Sequence, residues 1–230
     1  FDTLQMLDLL GISRTKLERA LRNARMSPRI PYMVTNFISS EVKLRFDEND
    51  FPGFYTVYRT IRSYPRKIGG NLLGDVGEIN ERQLKMKRYA DYRSGDYVGQ
   101  SGVEKAYEEE LRGKKGVKIM EKDTHGVVKG SYMDGMFDSL PEPGNYIVTT
   151  IDARLQAFTE ELMRGKVGAA VAIEPSTGEI LMMVSSPTFD PDEMVGRHRG
   201  NNYMKMLYNK RQPMFNRAVK AKYPPGSTFK

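Results

Sequence analysis

Apolar residues recur at helical spacing at the start of the chain. Leu4, Leu7 and Leu10 repeat at steps of three, Asp2 and Gln5 are spaced as a capping box, and Gly11 closes the run, which predicts a helix over residues 2–10. A second helix is predicted from Ser13 to Arg25, with Leu17, Leu21 and Ala24 on one face and Pro28 and Pro31 stopping it. Residues 32–46 read as β-like, 49–53 as a turn, and Phe54-Tyr55-Thr56-Val57-Tyr58, aromatic and β-branched, as a strand. The glycine-dense stretch 69–77 reads as turns, because a phosphate-binding loop needs Lys-Ser or Lys-Thr after its last glycine. Helices are predicted over 81–92 and 102–112, the latter with Val103, Tyr107 and Leu111 at steps of four.

Residues 117–147 are strand and turn material closing in Pro141-Glu142-Pro143-Gly144. The pattern then changes. A strand is predicted over 146–151, and Asp152 caps a helix whose Leu155, Phe158 and Leu162 face a core. A hairpin follows, with apolar runs 167–173 and 180–184 around Pro175-Ser176-Thr177-Gly178. Strands apolar at every position are covered on both faces, so a larger α/β core begins here. Residues 190–218 form a polar excursion with a short helix, in which Met194, Met204, Met206 and Met214 read as packing. The chain is thus α+β, with a domain boundary near 147 separating residues 1–147 from 148–230.

Composition changes this picture little. With 39% hydrophobic and 28% charged residues, the 230-residue chain folds, and no window of 18 apolar residues marks a span or a signal peptide. Without cysteine there are no disulfides or thiolate metal sites. His125 and His198 have no metal-ligand spacing. Spacing leaves a Ser-His-Asp triad open, but both histidines sit in polar, glycine-flanked stretches that read as loop tips. Net charge +7 invites a nucleic-acid reading. The densest basic run, Arg14 to Arg29, is instead the solvated face of the second helix, without stacking aromatics or a zinc-finger pattern. No nucleic-acid partner is expected, and a nearby anionic lipid or wall polymer explains the charge as well.

Chemistry enters with Ser-x-x-Lys, which puts a hydroxyl and an amine on one helix face and lets the amine take the proton as serine attacks a carbonyl. The pattern occurs three times, at Ser13–Lys16, Ser40–Lys43 and Ser227–Lys230. Lys16 lies among many charges, and Ser40 falls in the β-like segment, where residues three apart face opposite ways. Ser227 follows Tyr223-Pro224-Pro225-Gly226, a rigid turn that can set it at the first turn of a helix. Phe229 gives Lys230 apolar surroundings, which help lower the lysine pKa from about 10.4. A plain helix N-cap is the other reading of Ser227, and spacing alone does not choose between them.

Asn216-Arg217-Ala218 followed by Tyr223-Pro224-Pro225-Gly226-Ser227-Thr228-Phe229-Lys230 resembles the active-site segment of the class B penicillin-binding proteins. The segment from Gly99 to Gly113, with Gly99-Gln100-Ser101-Gly102-Val103-Glu104 at its head, resembles the signature of the family's non-catalytic pedestal. Thr149-Thr150-Ile151-Asp152 resembles the opening of its transpeptidase domain, and Gly168 to Leu181 its first hairpin. These blocks cover residues 55–230 in order, and the excursion 190–217 is closer to the elongation-type members than to the division type.

The resemblance implies an elongated dimerisation-type pedestal, then the first part of a transpeptidase domain. It implies a peptidoglycan D,D-transpeptidase in which Ser227 is the nucleophile and Lys230 its general base, with no cofactor or metal. Stem peptides, β-lactams and membrane proteins of the elongation machinery are the implied partners, at the outer face of the cytoplasmic membrane. The family also uses Ser-x-Asn and Lys-Thr-Gly motifs, and neither occurs in these 230 residues. An inactive fragment of a membrane-anchored parent is therefore expected; the alternative is a pedestal acting as an interaction module.

Overall fold

The computed structural model describes residues 3–26, 31–49, 51–123, 128–224 and 226–229. Asp2 of the capping box, Pro28, His125 and Lys230 lie outside them. Contacts divide the chain into two compact units, residues 1–60 with 114–142 and residues 61–113 with 143–230.

In the first unit, helices α1 (Thr3–Leu10), α2 (Arg14–Met26) and α3 (Ser40–Glu48) bury Met6, Leu17 and Phe46, and Phe51 joins them. The Phe46 and Phe51 rings lie 5.1 Å apart. α1 and α2 are the two helices expected, but in α1 Leu4 is 69% exposed and Met6 is the buried residue; α3, covering residues 40–48, overturns the β-like reading of the later part of 32–46. Val42, Leu44 and Phe46 alternate with charged residues as a strand would, but Ser39 caps the helix by accepting the Val42 N–H at 3.2 Å. Glu41–Arg45 and Lys43–Asp47 pair at i,i+4 along it. The predicted strand at 54–58 is irregular, with Val57 and Tyr58 71% and 86% exposed. Side chains that suit a pleated surface do not make a strand without a ladder. Strands β3 (Met120–Lys122) and β4 (Val128–Ser131) pair antiparallel in the same unit.

The second unit opens with α4 (Gly70–Leu73) and β1 (Val76–Glu78), so the glycine-dense stretch is only partly turn. Gly70 is required by close approach, because a Cβ there would lie 2.1 Å from the Phe189 carbonyl oxygen. The predicted helix 81–92 shortens to α5 (Glu81–Leu84) and a 3-10 turn at Lys87–Tyr89. β2 (Tyr97–Gly99) pairs antiparallel with β1, and Ile79, Tyr89 and Val98 form a small core. The predicted helix 102–112 breaks at Tyr107 into α6 (Gly102–Ala106) and α7 (Glu108–Leu111). Tyr107 is 45% exposed, so the steps-of-four face does not run through.

Residues 146–151 are irregular rather than a strand, and Tyr146 is 90% exposed. Asp152 caps α8 (Ala153–Leu162), accepting the N–H groups of Arg154 and Leu155 at 2.7 and 3.1 Å. These bonds, Leu155 first, hold its carboxyl below the ordinary 3.8. The hairpin is present as β5 (Gly168–Ile173) and β6 (Ile180–Ser186), paired antiparallel. Its two strands differ in cover: Met182 and Val184 of β6 are buried, whereas Val171 and Ile173 of β5 are 44% and 56% exposed. Gln156 of α8 clamps β6, donating to the Met183 carbonyl at 2.9 Å and accepting its N–H at 3.0 Å. The excursion beyond β6 carries a 3-10 turn at Pro191–Met194, α9 (Arg199–Leu207) and α10 (Arg217–Lys220). Met194 is fully buried, and His198 is exposed in a turn.

Candidate active site

Ser227 lies in a 3-10 turn spanning Gly226–Phe229, where it is exposed. Gly226 precedes it at φ 60°, a conformation that favours glycine. Upstream, α10 is tied to β6 by Arg217, which is 8% exposed. Its backbone N–H donates to Ser185 Oγ at 2.9 Å, and Ser185 Oγ donates to the Phe215 carbonyl at 3.1 Å. The Arg217 guanidinium donates to the carbonyls of Arg211, Gln212 and Phe215 at 2.7, 3.0 and 3.3 Å. A buried cation thus meets three backbone oxygens and lies 5.6 Å from the Phe215 ring centroid. Asn216 caps α10 by accepting the Val219 N–H at 3.3 Å. The residues of Asn216-Arg217-Ala218 thus shape the segment leading to Ser227.

The other two Ser-x-x-Lys copies have structural jobs. Ser13 accepts the Lys16 N–H at 3.3 Å and caps α2. Ser40 and Lys43 lie on helix α3, not on a strand, so the opposite-faces argument fails for them. Lys43 instead donates to Asp47, and that hydrogen bond raises its pKa, so its amine stays an ammonium.

The segment Gly99 to Glu108 is a packed polar network. Glu104, 8% exposed, accepts from Tyr64 Oη at 2.9 Å and from Arg62 at 3.1 Å. Glu108, 7% exposed, accepts the Gly99 N–H at 2.6 Å and the Tyr92 hydroxyl. Burial, then the adjacent carboxylates, push both phenols well above the usual tyrosine range, so they remain donors. Gly99 and Gly102 sit where backbone crowds in: a Cβ on Gly99 would lie 2.2 Å from the Glu104 carbonyl oxygen, and one on Gly102 2.4 Å from that of Leu72. Ser101 donates to Asp75 at 2.7 Å, and Arg199 meets the other oxygen of Asp75 at 2.6 Å. Sequence reasoning missed Asn71, Asp75 and Arg199, whose partners lie more than a hundred residues away and leave no local pattern. Among the described residues no group of three or more His, Asp or Glu side chains is placed to hold a metal ion.

Residues 3–149 match the penicillin-binding protein dimerisation domain, and residues 168–230 the penicillin binding protein transpeptidase domain. The chain belongs to the penicillin-binding proteins in which a dimerisation domain precedes a transpeptidase domain, and its α+β fold comprises that pedestal and the first part of the second domain. Its relatives include peptidoglycan D,D-transpeptidase MrdA of Acinetobacter baumannii, 35% identical over 94% of this chain and 31% of the relative. MrdA of Salmonella typhimurium is 33% identical over 98% of this chain and 36% of the relative. The chain therefore spans about a third of the length of these curated relatives. Pseudomonas aeruginosa PBP2, solved in complex with WCK 5153, aligns over 74% of this chain and 33% of its own at 36% identity and a TM-score of 0.56. Helicobacter pylori PBP2, solved in complex with MreC, shares the fold over 95% of this chain and 44% of its own, with 24% identity and a TM-score of 0.71.

Proposed function

We propose that this chain is part of a peptidoglycan D,D-transpeptidase that cross-links stem peptides through an acyl-enzyme on Ser227. Residues 1–147 form the pedestal and 148–230 begin the catalytic domain. The observation that carries the reading is Ser227-x-x-Lys230 following Pro-Pro-Gly inside the segment matched to the transpeptidase domain. Relatives named peptidoglycan D,D-transpeptidase support it. Ser227 Oγ attacks the carbonyl of the D-Ala-D-Ala bond while Lys230 Nζ takes its proton and passes it to the nitrogen of the departing D-alanine; an amine of a neighbouring strand then attacks the acyl carbonyl, its proton returning to Ser227 Oγ as the ester bond breaks. β-Lactams acylate the same serine. Lys230 acts as a base only when its amine is neutral, which requires a pKa well below about 10.4.

The reaction is assigned to the outer face of the cytoplasmic membrane. No helix among the described residues is long and apolar enough to cross it. The 230 residues hold neither Ser-x-Asn nor Lys-Thr-Gly, so on their own they are proposed to be inactive. In the full gene product carrying this sequence, D-alanine release from a pentapeptide donor should vanish in Ser227→Ala and fall at least about 100-fold in Lys230→Ala. Undiminished release by Ser227→Ala would refute the assignment.

A second reading is an interaction module for elongation-machinery proteins. It is favoured by the exposed Tyr55, Val57 and Tyr58 and by the MreC complex of the Helicobacter pylori protein. Loss of partner capture in a Val57→Ser, Tyr58→Ser variant would support it; unchanged capture would count against it.

A further inference from the structure

The segment 69–78 is fastened at three points, to α8, to residues 213–216 and to α9. The Gly69 N–H donates to Glu160 of α8 at 2.8 Å. Asn71 Nδ2 donates to the Pro213 carbonyl at 2.9 Å, and Asn216 Nδ2 returns a bond to the Asn71 carbonyl at 3.1 Å. Arg199, at the start of α9, donates from Nη2 to Asp75 at 2.6 Å and from Nε to the Val76 carbonyl at 2.9 Å. The pair is well inside: the Asp75 and Arg199 side chains are 4% and 22% exposed. Space for the guanidinium exists because residue 77 is glycine, where a Cβ would lie 2.4 Å from Nη2. Stretch 211–217, whose carbonyls Arg217 holds, is thereby fixed to α4 through Asn71, while Arg199 ties α9 to Asp75 and β1; Ser227 follows ten residues after Arg217.

A buried ion pair adds little net stability, since desolvation offsets the attraction; what it supplies is one geometry in place of several. Acylation is sensitive to geometry, because displacing a reacting group by about 1 Å can cost on the order of 100-fold in rate. We propose that Arg199 is a positioning residue for Ser227, locking the excursion 190–217 onto β1 so that the nucleophile's turn projects from a fixed base. This rests on Ser227 being the nucleophile.

The test uses the full gene product and separates pre-acylation binding of a fluorescent penicillin from the acylation rate constant. The double variant Asp75→Asn, Arg199→Met removes both charges together, leaving no unpaired ion. It should melt near the parent and bind penicillin within about twofold, yet acylate about tenfold more slowly. Gly77→Ala, which keeps both charges but displaces the guanidinium, should shift the rate constant the same way. Unchanged acylation in both variants would overturn the proposal, as would a decrease matched by lost binding or a lost folded fraction. If the parent protein is not acylated at Ser227, the function reading falls first and takes this inference with it. Acylation of the parent with both variants unaffected removes the inference alone.

Discussion

The segments 99–108 and 216–227 both carry polar residues that point to the family, yet they are built in opposite ways. In the first, the polar groups are spent inside the protein: Glu104 holds Tyr64 and Arg62, Glu108 holds Tyr92 and the Gly99 N–H, and Ser101 holds Asp75. In the second, hydrogen-bonded groups precede an exposed one. Arg217 and Asn216 shape the approach, while Ser227 stands exposed in a single turn. A polar residue whose bonds are consumed in the interior holds architecture. One left facing solvent beyond a rigid frame is available for chemistry.

The contrast can be broken by substitution. The largest effect on stability is expected from Glu104→Ala, which strands the buried Tyr64 hydroxyl and one face of Arg62. It should cost about 3 kcal/mol in thermal or denaturant unfolding, discounted for the partial exposure of Arg62, and Glu104→Gln markedly less. Gly99→Ala should cost about 2 kcal/mol, because its Cβ would meet backbone rather than a movable side chain. Ser227→Ala, at the exposed end of the contrast, should leave stability within about 0.5 kcal/mol. A large loss there would mean that Ser227 is itself structural.

The smallest expected effect is a pH dependence at α8. The folded Asp152 carboxyl lies below its ordinary 3.8, so its capping contribution is fully present above 3.8 and is lost as pH falls through the lower folded value. The Arg154 and Leu155 amide resonances should shift over that acid window, and Asp152→Asn, which keeps an acceptor, should abolish the shift. A midpoint at or above 3.8 would contradict the sign.

Local signals disclosed some elements and missed others. The leucine spacing of α1, the Asp152 cap and the β5–β6 hairpin all depend on neighbours within a few residues. α3 shows how a local signal misleads: Val42, Leu44 and Phe46 alternate, while the Ser39 cap and the i,i+4 charge pairs that decide for helix carry the weaker-looking pattern. Residues 54–58 had the propensity of a strand but form no ladder. At the proposed site, the assignment of Ser227 rests on Pro-Pro-Gly and the surrounding blocks. The bonds of Asn71 with Pro213 and Asn216 and of Asp75 with Arg199 could not be read, because they span separations of 124 to 145 residues, and no spacing rule reaches that far.

On the proposed function, the buried polar groups hold the architecture and Ser227 reacts. Peptide mapping of the full gene product after exposure to a penicillin tests it most directly. One acyl adduct is expected, on the peptide containing Ser227 and absent from Ser227→Ala. An adduct on the peptides of Ser13 or Ser40, or one that persists in Ser227→Ala, would contradict it.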